Sequence, residues 1–136
     1  MLGVKADIPL DAGVIIHKIK YGTDNMAQGP AMSKQEAIQS IEVGIRVATE
    51  EIIQGADVLG TGEMGIGNTT PSAAILAVLT GCDPIEVTGF GGAGVGQGGI
   101  AYKAAIIEKA ITLNKPNPKD AIDVLAKVGG LEIGGR

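Results

Sequence analysis

The chain has 136 residues, enough for one domain with a buried core. Hydrophobic residues are 45% of it but aromatic ones only 2%, so the core must be Ile, Val, Leu and Ala, a palette that suits parallel strands covered by helices. A net charge of −4, no Lys/Arg run and too few rings for base stacking argue against nucleic acid, while a lone cysteine, Cys82, excludes an internal disulfide or thiolate metal cluster.

The opening M-L-G-V-K-A-D has no apolar stretch of signal length. The uncharged window from Met64 to Cys82 is broken by Asn68, Pro71 and its glycines and threonines, which argues against a membrane span. The expectation is a soluble protein of the cytoplasm. Residues 2–8 and 14–19 read as short strands separated by Pro9 and Gly13, with His17 a surface or strand-edge imidazole, and residues 21–32 read as a turn-rich loop.

Ser33 and Glu36 form a capping-box pattern that opens a long helix. Ile38, Ile41, Ile45, Ala48 and Ile52 make an apolar stripe, expected to pack on a sheet, and Gly55 closes the helix. Residues 56–59 then read as a buried strand running into G-T-G-E-M-G-I-G-N-T-T-P-S, residues 60–72. In that loop Gly60, Gly62, Gly65 and Gly67 permit positive φ, Thr70 is the expected N-cap and Pro71 the first residue of a helix that Gly81 ends. Amides at such a helix start favour an anion. Glu63 would repel a phosphate placed on it, so it is expected beside the anion, on a hydroxyl or a cationic ring.

Residues 84–88 read as another strand, followed by a second glycine-rich loop over 89–99 and a helix over 100–113 with Lys103 in its first turn. Two strand–loop–helix units open their loops at one end of a parallel sheet, where ligands bind. Glu63 and Lys103 are therefore expected to face one another across a shared opening. A turn at 114–117 leads to a helix with Asn117 as N-cap and Pro118 at its first position, running to Val128, and Leu131 to Arg136 begins a further element. Gly89 to Gly94 matches G-x-G-x-x-G, but later glycines postpone the helix and no acidic residue closes a following strand, so a dinucleotide site is the weaker reading. No P-loop pattern and no His-based metal motif occurs.

G-E-M-G-I-G-N-T-T-P-S-A-A, T-G-C-D-P-I-E-V-T-G with its continuation to Lys103, N-K-P-N-P-K-D-A-I-D-V-L-A-K-V-G-G-L-E-I and the upstream G-P-A-M-S-K-Q-E-A resemble the central part of the nicotinate-nucleotide:dimethylbenzimidazole phosphoribosyltransferases. The resemblance implies a single α/β domain over 1–136, a Rossmann-like three-layer core fragment with a small parallel sheet covered by helices. It implies transfer of ribose phosphate from nicotinate mononucleotide to a benzimidazole base in cobalamin nucleotide-loop synthesis, without metal or cofactor, by a homo-oligomer. Glu63, Gly65, Gly67, Asn68, Thr69, Gly91 and Lys103 match family positions near the nucleotide. The family's general-base glutamate lies in a C-terminal segment without counterpart here, and Glu132 matches a different part. The expectation is thus a truncated transferase that binds nucleotide with little or no turnover alone; the alternative is a non-catalytic structural or assembly fragment whose cut sheet edges drive association.

Overall fold

The computed structural model describes residues 1–9, 13–63, 65–90 and 97–136. Among them six helices occur and no strand: α1 (Lys34–Ile53), α2 (Thr69–Thr80), α3 (Pro84–Val87), α4 (Gln97–Asn114), α5 (Ala121–Val128) and α6 (Leu131–Gly134). The expected parallel sheet, and with it the three-layer Rossmann-like core, is therefore corrected to a packing of helices. The expected strands fail for different reasons. Residues 84–88 follow Asp83, whose side chain accepts from Ile85 N while Glu86 reaches back to the Asp83 amide; with Pro84 at the first position, this capping box makes one helical turn instead.

Residues 56–59 find no ladder partner among the described residues, and Val58 is 86% and Leu59 46% exposed. At the chain start, Met1 N donates to Ile15 O, His17 N to Met1 O and Ile19 N to Leu2 O, so two extended stretches lie side by side with too few successive bonds for a strand. Lys18 Nζ donates to Asp7 Oδ1 at 2.9 Å and to Ala6 O at 2.6 Å, pinning one stretch to the other.

The middle of the molecule is α5, with Asp123, Val124, Leu125, Ala126 and Val128 all buried. Val124 and Val128 join Ala73, Ala74 and Ala77 of α2 and Ile107 and Ala110 of α4 in one apolar cluster. Leu125 and Ala126 join Ala31, Met32, Ala37 and Leu131 in the other. Alanines at the α2–α4 seam let two backbones approach closely, which is how a chain poor in large side chains still closes a core.

The C-terminal carbonyls of α5 are satisfied from outside the helix: Met32 N donates to Ala126 O at 2.9 Å and Ala31 N to Lys127 O at 3.1 Å, while Gly129 N takes Leu125 O. Asn114 Nδ2 donates to Met26 O at 2.7 Å, so the loop expected over 21–32 is fastened to both α5 and α4. The N-terminus of α5 is capped by Asp120, not by the expected Asn117, whose Oδ1 instead accepts from Lys119 N.

The capping box of α1 forms as read, and Gly55 follows its C-cap at φ +100°. Its packed face differs from the expected isoleucine stripe. Ala37 and Ser40 are the fully buried positions, whereas Ile45 is 62% and Ile52 58% exposed. Small residues win because α6 crosses close to α1: a Cβ on Gly44 would stand 2.6 Å from Gly135 O.

Two outcomes follow from this packing. Gly44→Ala gains about 0.5–1 kcal/mol of helix propensity but drives a methyl into a backbone carbonyl, an overpacking cost of about 1–3 kcal/mol, so a melt should show a lowered midpoint; an unchanged or raised one would mean the seam opens freely. The second concerns Asp123, which accepts from Lys127 Nζ at 2.9 Å and from Asn117 N at 2.8 Å. The Lys127 hydrogen bond first, then the Asn117 amide, lower its pKa below the ordinary carboxylate value of 3.8. A folded-state pKa below the unfolded one contributes stability that is full above the unfolded value and is lost as pH falls through the folded one. Denaturant unfolding should therefore show stability dropping below about pH 4, with a shallower acid slope in Asp123→Asn; equal slopes would contradict it.

Candidate functional site

The site is built at the start of α2. Gly65 at φ +73° and Gly67 at φ +81° turn the chain through left-handed backbone, as glycine allows, whereas Gly60 and Gly62 do not have positive φ. The N-cap is Asn68, two residues before the expected Thr70, and Pro71 stands third in the helix instead of first. Asn68 has φ −112° and ψ −9°, so the helical path already runs through it, and its side chain makes no capping bond. With Pro71 lacking an N–H, the first turn presents the Thr69 and Thr70 amides at the positive end of the helix dipole.

Lys103 projects from the second turn of α4, which begins three residues earlier than expected. Its Nζ donates to Phe90 O at 3.2 Å and makes a long 3.5 Å contact with Thr69 Oγ1. An ammonium is thereby held at the opening turn of α2, where an anion would meet both. It lines a cavity of about 440 Å³ with Asn25, Thr70, Gly99 and Tyr102, and no carboxylate is among the lining residues.

Glu63 is placed differently. Its Oε1 accepts from Gly65 N at 3.2 Å and its carboxylate pairs with the Arg136 guanidinium, so it partly braces its own loop. It lines a separate cavity of about 420 Å³ with Gly67, Asn68, Thr23 and Glu132, which contains no Lys, Arg or His side chain. The single opening expected between Glu63 and Lys103 is thus not found: Glu63 lines one cavity with Asn68, and Lys103 lines another with Thr70. Asn68 is 4% exposed, and its Oδ1 is buried with no hydrogen-bond partner among the described residues. Gly91 lies outside the described residues.

Asn25, Tyr102 and Thr23 carried no signal on their own: a turn-loop asparagine, a helix-surface tyrosine and a loop threonine are ordinary residues until the fold brings them to a cavity. Arg136 carried none either, since its partner is remote in the chain. His17, read as a surface or edge imidazole, is half-buried, and its Nδ1 lies 2.9 Å from Arg46 Nη2. Because a guanidinium only donates, this contact assigns Nδ1 as the acceptor. Among the described residues no three His, Cys, Asp or Glu side chains gather as metal ligands, and no helix is long and apolar enough to cross a membrane.

Comparison with known proteins bears on the same residues. The sequence profile of a family described as phosphoribosyltransferase matches residues 2–136. The nicotinate-nucleotide–dimethylbenzimidazole phosphoribosyltransferase of Alkaliphilus metalliredigens is 63% identical over 134 residues, and that of Clostridioides difficile is 56% identical over 133. Each alignment covers 98% of this chain but 38% of the relative, so the chain spans about two-fifths of the length of the curated relatives it matches. The crystal structure of CobT from Thermus thermophilus superposes with a TM-score of 0.88 at 39% identity, over 98% of this chain and 40% of that one. The chain belongs to the phosphoribosyltransferase family, on the branch of the nicotinate-nucleotide–dimethylbenzimidazole enzymes.

Proposed function

We propose that this chain is the nucleotide-holding part of a cytoplasmic transferase that moves ribose phosphate from nicotinate mononucleotide to 5,6-dimethylbenzimidazole. The observation that carries this reading is the Lys103 ammonium held at the open first turn of α2, in a chain whose relatives bear that enzyme's name. The phosphate sits on Lys103, the Thr69 hydroxyl and the first-turn amides. Gly65 and Gly67 let the loop backbone approach it, and Asn68 and Glu63 hold the sugar side.

Displacement at the anomeric carbon needs the ribose oriented and the phosphate anchored away from the reacting bond, and these positioning effects are what the helix start supplies. Each hydrogen bond to a charged group contributes about 1.5–3 kcal/mol, against only about 0.3–1 kcal/mol for the dipole. Lys103 is then the larger contributor. The reaction also needs a base for the azole proton. The residues named here bind and orient the nucleotide, and none of them is assigned the role of that base.

A second reading, association of copies through an apolar face, is favoured by the exposure of Ile45, Ile52 and Ile53 on α1, with Ile53 at 78%, and of Val58 at 86% in the segment that follows. A contiguous apolar patch larger than a few hundred Å² marks a contact surface, whereas single exposed apolar side chains do not.

Calorimetry with nicotinate mononucleotide tests the first reading. Binding should be measurable at millimolar ligand, and Lys103→Ala should weaken it by about 10- to 150-fold; no heat from the unaltered protein, or an unaffected variant, would reject it. Light scattering tests the second: mass should rise with concentration and return to that of one chain in an Ile53→Glu/Val58→Glu variant, and a monomer at every concentration would reject association.

A further inference from the structure

The C-terminal half of α1 carries a second line of side chains, apart from the buried positions Ala37 and Ser40. Ile45, Thr49, Ile52 and Ile53 are all exposed, and because the other three stand three or four residues from Thr49 they share one helix face as neighbours. Thr49 does not make that face polar. Its Oγ1 donates to Ile45 O at 2.7 Å, so the hydroxyl is satisfied within the helix and leaves water without losing its hydrogen bond. Three large apolar side chains and a satisfied threonine thus form a continuous strip.

Charge indicates what covers the strip. Glu42, Arg46 and Glu50, all exposed, follow one flank at four-residue intervals, whereas the opposite flank is Ile41 and Ala48. A purely apolar partner leaves the charged flank unmatched, and a parallel copy of the helix sets it against uncharged residues. An antiparallel copy matches it. With a two-fold axis beside Thr49, Ile45 of one copy lies against Ile52 of the other and Arg46 against Glu50, and the symmetry makes each contact twice. Glu42 then falls opposite Gln54 and Gly55, where no like charge stands. Arg46 Nη2 also meets His17 Nδ1, which occupies one of the five guanidinium donors and leaves the others for a carboxylate.

We infer that α1 is a self-recognition helix: two copies of this chain pair antiparallel through Ile45, Thr49, Ile52 and Ile53, with Arg46 of each across from Glu50 of the other. This rests on the association reading above and gives it a surface, an orientation and a register. The strip is about 12 Å long, short of what buries the roughly 800 Å² per partner of a standard interface. The pair is therefore weak and reversible.

The experiment is a charge exchange on the intact chain, read by light scattering over a wide concentration range at low salt. Arg46→Glu sets like charges opposite one another at both symmetric contacts and should weaken association about 4- to 30-fold, as should Glu50→Arg. An equimolar mixture of the two variants restores both attractions, so it should associate as tightly as the unaltered chain while neither variant does so alone. That rescue also establishes that both variants fold. Association that survives either single substitution, or a mixture no tighter than its components, overturns the inference and leaves association through another face standing. A monomer at every concentration of the unaltered chain overturns the association reading and this register with it.

Discussion

Everything in this molecule hangs on keeping α5, a helix of eight residues, buried on both sides. So short a helix is unstable in water, because nucleation costs more than its few internal bonds return. It persists because its apolar side chains are shared between two clusters, because Ala31 and Met32 take up its last carbonyls, and because Asp120 and Asp123 hold its entry. The strand-like role of a central buried element is here filled by a helix. The helices bearing the site are positioned by it: α2 and α4 meet over Val124 and Val128, and that meeting brings Lys103 to Thr69.

The same packing explains why the start of α2 is left chemically open. An asparagine N-cap ordinarily closes over the first-turn amides, and losing such a cap costs about 1 kcal/mol. Here the helical path begins one residue too early for the side chain to reach back, and the Asn68 amide is buried beside a cavity instead. Stability is given up at a helix end whose donors then remain available to an anion. That exchange is common at binding sites, where polar groups left unsatisfied by the fold are satisfied by the ligand.

What can be read from the chain is what depends on near neighbours. Ser33 and Glu36 announce α1, Gly55 and Gly81 its end and that of α2, and the long G-E-M-G-I-G-N-T-T stretch carries the family. Lys103 does stand at the helix start that follows residues 65–67, whereas the positive φ expected of the loop glycines does not extend to Gly60 and Gly62. The differences have local and remote causes. A four-residue apolar run becomes a strand only if another strand lies beside it, and that is decided by remote parts of a chain. Residues 56–59 have no such neighbour among the described residues, and at 83–86 the D-P-I-E capping pattern outweighs β-propensity. The stripe on α1 misleads for a related reason: periodicity identifies an apolar face, but the close approach of α6 selects Ala37, Ser40 and Gly44.

If the site binds as proposed, binding and folding are coupled through Asn68 more tightly than through Lys103. The lysine has protein partners without ligand, the Phe90 carbonyl above all, so a bound anion exchanges one set of contacts for another. Asn68 Oδ1 has none among the described residues, so a donor arriving there relieves a penalty the folded chain already bears. A ligand that binds only the folded state stabilises it by RT ln(1 + [L]/Kd), and the part of that affinity contributed at Asn68 is free energy that the empty fold lacks. In the proposed reading, charge at Lys103 thus governs attraction of the ligand, while the buried amide sets how much the helix start gains by holding it.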